Sequence, residues 1–155
     1  MKKLLLLVTH SSCIGLGFAL GIYALPILIQ PTSPSMNEVQ TVTNNAIYNA
    51  SFQKDRKDSD FLHWGEGSVS ISAEKVAFIG KLAPGPDYKL YFSPSFIETE
   101  ADFNAQKELM VRVGEVKSFD RFTVTLPQGF PINDYNTVIV WCETFGEFIT
   151  SARYR

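Results

Sequence analysis

The chain has 155 residues and a formal net charge of −2 at pH 7, which is enough chain for one domain of ordinary size. The charge is unevenly divided: residues 1–30 contain two lysines and no acidic residue, whereas residues 31–155 contain sixteen acidic and twelve basic residues. This mild acidity and the absence of a basic cluster argue against a nucleic-acid partner and against charge-driven binding to anionic lipid.

Residues 4–29 predict a transmembrane helix that follows a short cytoplasmic tail, residues 1–3. The stretch carries no charge and is polar only at residues 9–12, and about 20 apolar residues span the hydrocarbon core as a helix. Lys2 and Lys3 precede it, and no Lys or Arg follows until Lys54. Because positively charged flanks stay in the cytoplasm, we predict a single-pass protein whose domain lies in the periplasm or a similar extracytoplasmic part of the cell envelope.

A cleaved signal peptide is the competing interpretation of this segment. The apolar region of such a peptide spans about 7–15 residues and ends at a site with small residues. Here the apolar run is longer, and residues 22–26 (IYALP) offer a poor cleavage site. The sequence therefore favours an uncleaved signal-anchor over a signal peptide.

Gly17 and Gly21 form a G-x-x-x-G spacing inside the predicted span. This spacing lets two membrane helices approach closely, and it suggests a helix–helix dimer. Glycine is also common in membrane helices, so the same spacing arises by chance, and we favour that interpretation.

Residues 30–50 predict a linker followed by a short juxtamembrane helix. Pro31 and Pro34 stiffen residues 30–35. Apolar residues then recur at helical spacing over residues 36–48, and Ser35 or Asn37 is suited to cap this helix. The remaining residues, 51–155, are predicted to form one domain.

Residues 51–155 predict an all-β domain, a sandwich or a barrel-like fold of about 7–9 short strands with one short helix. Turns are predicted at residues 65–67 and 82–87, where Gly and Pro cluster. The helix is predicted over residues 98–109, with Thr99 and Asp102 in a capping arrangement. The predicted strands are residues 68–72, 75–79, 88–93, 111–116, 119–126, 137–142 and 145–154.

Few residues of this domain are suited to catalysis. It contains one histidine, His63, which excludes any site that needs two histidine ligands. It contains no G-x-S-x-G elbow, no phosphate-binding loop and no C-x-x-C pair. We therefore predict neither a metal site nor a hydrolase or transferase activity.

The domain also contains a single cysteine, Cys142, because Cys13 lies in the membrane segment. An internal disulfide is excluded, and a lone thiol in an exported domain is unusual. Both faces of the strand at residues 138–142 are apolar, which predicts a covered strand and a buried, structural thiol. The acidic neighbour Glu143 would not lower the thiol pKa, so a reactive nucleophile is disfavoured. A redox thiol or a soft ligand is the alternative.

Three motifs in the same order resemble the DM-thirteen family, the electron-transfer DM module that accompanies DOMON domains in Skeletor-type proteins. They are LHWGEG at residues 62–67, LAPGPDY at residues 82–88 and VWCETF at residues 140–145. The resemblance covers residues 52–154, and the chain also resembles the short bacterial form with an N-terminal membrane anchor. It implies an all-β domain with a redox cysteine, which falls on Cys142, either as a free thiol or as the ligand of a cofactor such as haem.

The resemblance has two further implications. If haem were bound, His63 would be the only histidine that could ligate it opposite Cys142. Because the chain contains no DOMON neighbour, its electron partner would be a separate envelope protein. Two functions therefore remain: a membrane-anchored electron-transfer domain that uses Cys142, and a non-catalytic envelope module that binds another protein or a small ligand, with Cys142 as core packing.

Overall fold

The apolar N-terminal segment forms one helix, α1 (Lys2–Ile29), in the computed structural model, which describes residues 1–155. The helix has 28 residues, or about 42 Å at 1.5 Å per residue, against about 30 Å of bilayer hydrocarbon. By length and composition it is therefore able to cross a membrane. Pro26, near its C-terminal end, is its only buried residue.

Helix α2 (Met36–Asn44) follows the linker and begins where the sequence predicts. The Ser35 side chain caps it by accepting the backbone N–H of Glu38 at 3.2 Å. The helix ends four residues before the predicted position, because the chain enters strand β1 at Tyr48 and pairs there with Ile71. Val39 and Val42 of α2 pack on the first sheet, and the Ser33 hydroxyl donates a hydrogen bond to the Asp120 carboxylate.

Eight strands form two four-stranded antiparallel sheets, which confirms the predicted all-β fold class. The first sheet has the order β1-β2-β3-β6 and the second has the order β5-β4-β7-β8. The strands are β1 (Tyr48–Phe52), β2 (Gly65–Ile71), β3 (Lys75–Leu82), β4 (Tyr88–Ser93), β5 (Val111–Val116), β6 (Arg121–Thr125), β7 (Thr137–Cys142) and β8 (Glu147–Arg153).

The main core contains twenty buried residues from both sheets. A second cluster of seven lies on the other face of β7 and includes Phe103, Trp141 and Phe148. All six residues of β7 are buried, so the predicted covered strand is confirmed. Cys142 faces the main core, and its neighbour Trp141 faces the second cluster.

The one helix of the domain, α3 (Glu100–Gln106), supplies part of the second cluster. Its predicted cap is confirmed, because the Thr99 hydroxyl accepts the backbone N–H of Asp102 at 3.0 Å. The helix begins two residues later than predicted, since Thr99 is its N-cap. A 3₁₀ turn over Lys107–Leu109 continues it to the predicted end.

The predicted turn at residues 65–67 is wrong, because these residues begin strand β2. Gly67 pairs with Gly80 of β3 and has a φ of 139°. A Cβ at Gly67 would collide with the Ile79 carbonyl oxygen and stand 2.9 Å from the Phe78 ring. A Cβ at Gly80 would collide with the Glu66 carbonyl oxygen and stand 2.7 Å from the same ring. Glycine at these two positions therefore lets the paired backbones and a core aromatic ring approach closely, rather than forming a turn.

Candidate functional site

The candidate site lies at one end of the second sheet, where β4 begins and β7 ends. Tyr88, the first residue of β4, is the register partner of Cys142, the last residue of β7. Two backbone hydrogen bonds fix the turn that follows Cys142: Glu143 N–H to the Asp87 carbonyl at 3.0 Å, and Gly146 N–H to the Cys142 carbonyl at 2.9 Å. The VWCETF motif (residues 140–145) is thereby held against the LAPGPDY motif (residues 82–88).

The Cys142 thiol is free and only 2% exposed. Directly opposed residues of an antiparallel pair project to the same face, so Tyr88 lies beside it in the main core. The Tyr88 hydroxyl donates a hydrogen bond to the Ala83 carbonyl at 2.8 Å. Burial raises the pKa of the Cys142 thiol, and the backbone N–H of Phe145 opposes this only in part. The thiol is therefore protonated at neutral pH, as the sequence suggested.

His63 lies in the loop between β1 and β2, where Asp60 fixes its position. One carboxylate oxygen of Asp60 accepts the backbone N–H groups of Leu62 and His63, both at 2.7 Å. The other lies 3.1 Å from His63 Nδ1. Burial raises the pKa of Asp60, but these hydrogen bonds outweigh it and hold that pKa below its usual range. Because a carboxylate only accepts, Nδ1 carries the proton of this hydrogen bond, and in the neutral imidazole Nε2 is the nitrogen with a free lone pair.

The structure brings Cys142 and His63 to one cavity of about 220 Å³. Apolar side chains from the domain and from the C-terminal half of α1 form the rest of its wall. They include Ala19, Ile22, Tyr23, Leu62, Tyr88 and Phe145. The only cysteine and the only histidine of the domain therefore share a mostly apolar site between the sandwich and the helix.

A haem does not fit this cavity. Its volume is about 220 Å³, whereas pockets for drug-sized ligands occupy about 300–1,000 Å³. A haem is larger than most drug-sized ligands. Cys142 lines this cavity but belongs to the main core and is only 2% exposed, which leaves little space for a ligand at its sulfur. No group of three or more His, Cys, Asp or Glu side chains is placed to hold a metal ion. Of the two forms that the resemblance implies, this geometry supports the bare thiol.

A second polar group lies on the opposite face of β7, at the edge of the second cluster. The Tyr91 hydroxyl donates a hydrogen bond to the Glu143 carboxylate, and Lys107 Nζ lies 3.0 Å from the other carboxylate oxygen. Burial raises the pKa of Glu143, but these two partners outweigh it and lower that pKa below its usual range. The carboxylate next to Cys142 in sequence is thus committed to Tyr91 and Lys107.

Sequence reasoning missed Asp60 and Tyr88 as parts of the site. Tyr88 is the last residue of the LAPGPDY motif, and its place in this motif could have indicated that it belongs to the site. The spacing of Asp60 three residues before His63 was a weaker signal, because only the loop conformation turns it into a hydrogen bond. The pairing of Tyr91 with Glu143 joins two strands and left no signal in the sequence.

The fold and site define a small two-sheet β domain whose single cysteine is buried and whose single histidine is oriented by Asp60. The family model described as Electron transfer DM13 matches residues 51–154, and the chain belongs to this family. The resemblance based on the three motifs is thereby confirmed. No curated protein and no solved structure matches the chain.

Proposed function

We propose that this protein is a membrane-anchored electron-transfer domain, held outside the cytoplasm by α1, in which Cys142 is the redox residue. Membership of an electron-transfer family supports the general role. The observation that carries the specific assignment is the shared cavity, since the only cysteine and the only histidine of the domain both line it. The apolar helix and its two preceding lysines support the placement.

The redox step is a one-electron oxidation of the Cys142 thiol. The S–H group loses one electron to a one-electron metal centre of a partner protein, and its proton is transferred through the shared cavity to His63, the only imidazole that lines it. The products are a thiyl radical, an imidazolium and a reduced partner; the reverse transfer restores all three. A neighbouring base is needed because burial raises the pKa of Cys142 and keeps the thiol protonated. Cys142 is 2% exposed, so the electron passes through the surrounding protein without contact between the sulfur and the partner.

The test is photo-oxidation of the full-length protein in lipid nanodiscs with a soluble ruthenium complex, followed by electron paramagnetic resonance of the frozen sample. We expect a sulfur-centred radical in the wild type. It should be lost in Cys142→Ser and kept in the matched control Cys13→Ser, which changes the cysteine of α1. His63→Gln should lower the yield at neutral pH, and added imidazole should restore it.

Two results would overturn this assignment. If Cys142→Ser gave the same radical as the wild type, the oxidised residue would be a different one. If the purified protein carried a visible absorption band that disappeared in Cys142→Ser, Cys142 would hold a cofactor rather than act as a bare thiol.

A non-catalytic envelope module is the second candidate function. The observation that favours it is the complete burial of β7, which suits a packing role for Cys142. Under this function no radical forms at Cys142, and Cys142→Ala changes stability without changing partner binding. The same photo-oxidation experiment therefore separates the two functions.

A further inference from the structure

The depth of α1 in a bilayer follows from its flanking residues. Lys2 and Lys3 fix the start of the apolar run at the cytoplasmic surface. About 20 helical residues cross the hydrocarbon core, so the core ends close to Tyr23. Tyrosine is enriched at this boundary between hydrocarbon and headgroups. The last residues of the 28-residue helix then rise above the core toward the domain.

The domain reaches down to that boundary. Ala19 and Tyr23 of α1 line the same cavity as Leu62 and Phe145 of the domain. Ala19 lies four residues, or about 6 Å at 1.5 Å per residue, below Tyr23, which places it inside the edge of the hydrocarbon. Leu62 and Phe145 therefore stand beside a part of the helix that is at or below the lipid boundary.

The exposed phenylalanines of the domain lie at this end of the sandwich, one on the cavity wall and one next to Leu62 in the chain. Phe61 and Phe145 are 83% and 50% exposed, and they are the only exposed phenylalanines of the domain. Leu62, between Phe61 and His63, is 38% exposed. We name Phe61, Leu62 and Phe145 the apolar rim. In water the exposed parts of these side chains stay hydrated, whereas insertion into lipid removes their apolar surface from water, which is favourable.

We propose that the apolar rim is a membrane-docking surface that inserts into the outer interface of the bilayer crossed by α1. The occupant is lipid, because Leu62 and Phe145 share a cavity wall with the apolar helix and Phe61 is the chain neighbour of Leu62. Insertion depends on apolar area, which agrees with the lack of a basic cluster. The cavity of Cys142 and His63 then opens beside the headgroups, and an electron partner reaches it along the membrane. This inference rests on the proposed membrane anchoring.

The test measures the depth of spin labels on the full-length protein in nanodiscs of uncharged phosphatidylcholine. Single cysteines are introduced into a Cys13→Ser, Cys142→Ala background at three positions. Phe61→Cys reports the rim and Leu16→Cys reports the span. Gln128→Cys reports the opposite end of the sandwich, where Leu126 N–H bonds the Glu74 carbonyl beside the β2–β3 turn. All three side chains are exposed, so labelling leaves the core unchanged.

We expect the label at position 61 to resemble the label at position 16, with relaxation dominated by lipid-soluble oxygen. The label at position 128 should respond mainly to a water-soluble nickel chelate. If position 61 behaved like position 128 while position 16 remained in lipid, docking would be wrong and the anchor would stand. If position 16 were also in water, both the anchor and the docking surface would be wrong. Neither outcome depends on the redox role of Cys142.

Discussion

Burial sets the chemistry of Cys142 more than its sequence neighbours do. The thiol lies in the main core opposite Tyr88, and the charge of Glu143 is directed to Tyr91 and Lys107 on the other face of β7. Burial raises the pKa of Cys142 above that of an ordinary thiol. The folded state therefore prefers the neutral thiol, and this preference is measurable as a dependence of stability on pH.

The wild-type protein should lose more stability in alkali than Cys142→Ala. Because the folded-state pKa is raised, the stabilisation from the neutral thiol is complete below the unfolded value, about 8.5. It is lost as pH rises from there through the folded-state pKa. The measurement is urea unfolding in detergent at neutral and alkaline pH. Because the two proteins differ only at Cys142, the difference between them reports the titration of this thiol together with its effect on the neighbouring Tyr88, whose pKa is raised by burial and by this thiol.

An equal loss in both proteins would show that the thiol titrates as it does in the unfolded chain. The burial argument for a protonated thiol would then be wrong, and the proposed need for His63 as a base would lose its reason.

At the scale of elements, one aromatic stack fastens α3 to the second sheet. The rings of Phe103 and Trp141 lie 3.8 Å apart and 7° from parallel, and Tyr91 meets Phe103 edge-on at 5.1 Å. Phe103 is fully buried, although α3 has only seven residues. A helix this short is unstable alone, so its position depends on this packing and on its Thr99 cap.

Phe103→Ala should therefore destabilise the domain by about 3–5 kcal/mol, through lost burial and the cavity left beside Trp141. Leu109→Ala is the matched control, because Leu109 follows the same helix but is 63% exposed. It should change the free energy of unfolding by less than about 0.5 kcal/mol. Urea unfolding followed by tryptophan fluorescence measures both, and similar values for the two variants would contradict the role of the stack.

At the scale of the whole molecule, the domain is attached to α1 by more than a flexible tether. Pro26 is buried where the helix meets the domain. The linker is bound to the domain through Ser33 and Asp120, and α2 packs on the first sheet through Val39 and Val42. These contacts fix the position of the sandwich relative to the 28-residue helix. The proposed lipid docking requires such a fixed position.

The predicted topology has its own test in a bacterial host. Because Lys2 and Lys3 should retain the N-terminus in the cytoplasm, protease added to spheroplasts should degrade the domain. In sealed inside-out vesicles the domain should be protected, and a cytoplasmic protein serves as the control for intact membranes. Degradation only in the inside-out vesicles would reverse the orientation. A domain that is released as a soluble fragment without protease would mean that the anchor is cleaved.

Local patterns predicted much of the fold. Strands β4, β5 and β7 have the predicted bounds, because each is an apolar or alternating run that ends at a turn residue or a proline. The caps of α2 and α3 followed from Ser35 and Thr99, whose hydroxyls each accept one backbone N–H. The turn predicted at residues 65–67 is wrong, because the role of Gly67 depends on the close backbone and the Phe78 ring of the neighbouring strand.

The sequence by itself determined the apolar span, the all-β class and the covered strand that ends at Cys142, since each depends on hydrophobic runs and their period. It also selected Cys142 and His63, each the only residue of its kind in the domain. The tertiary structure alone decided that these two line one cavity with α1, that Asp60 orients His63, and that Glu143 pairs with Tyr91. The physical reason is that periodicity fixes which side of a strand is buried, whereas contacts between distant residues depend on strand order, which no local pattern encodes.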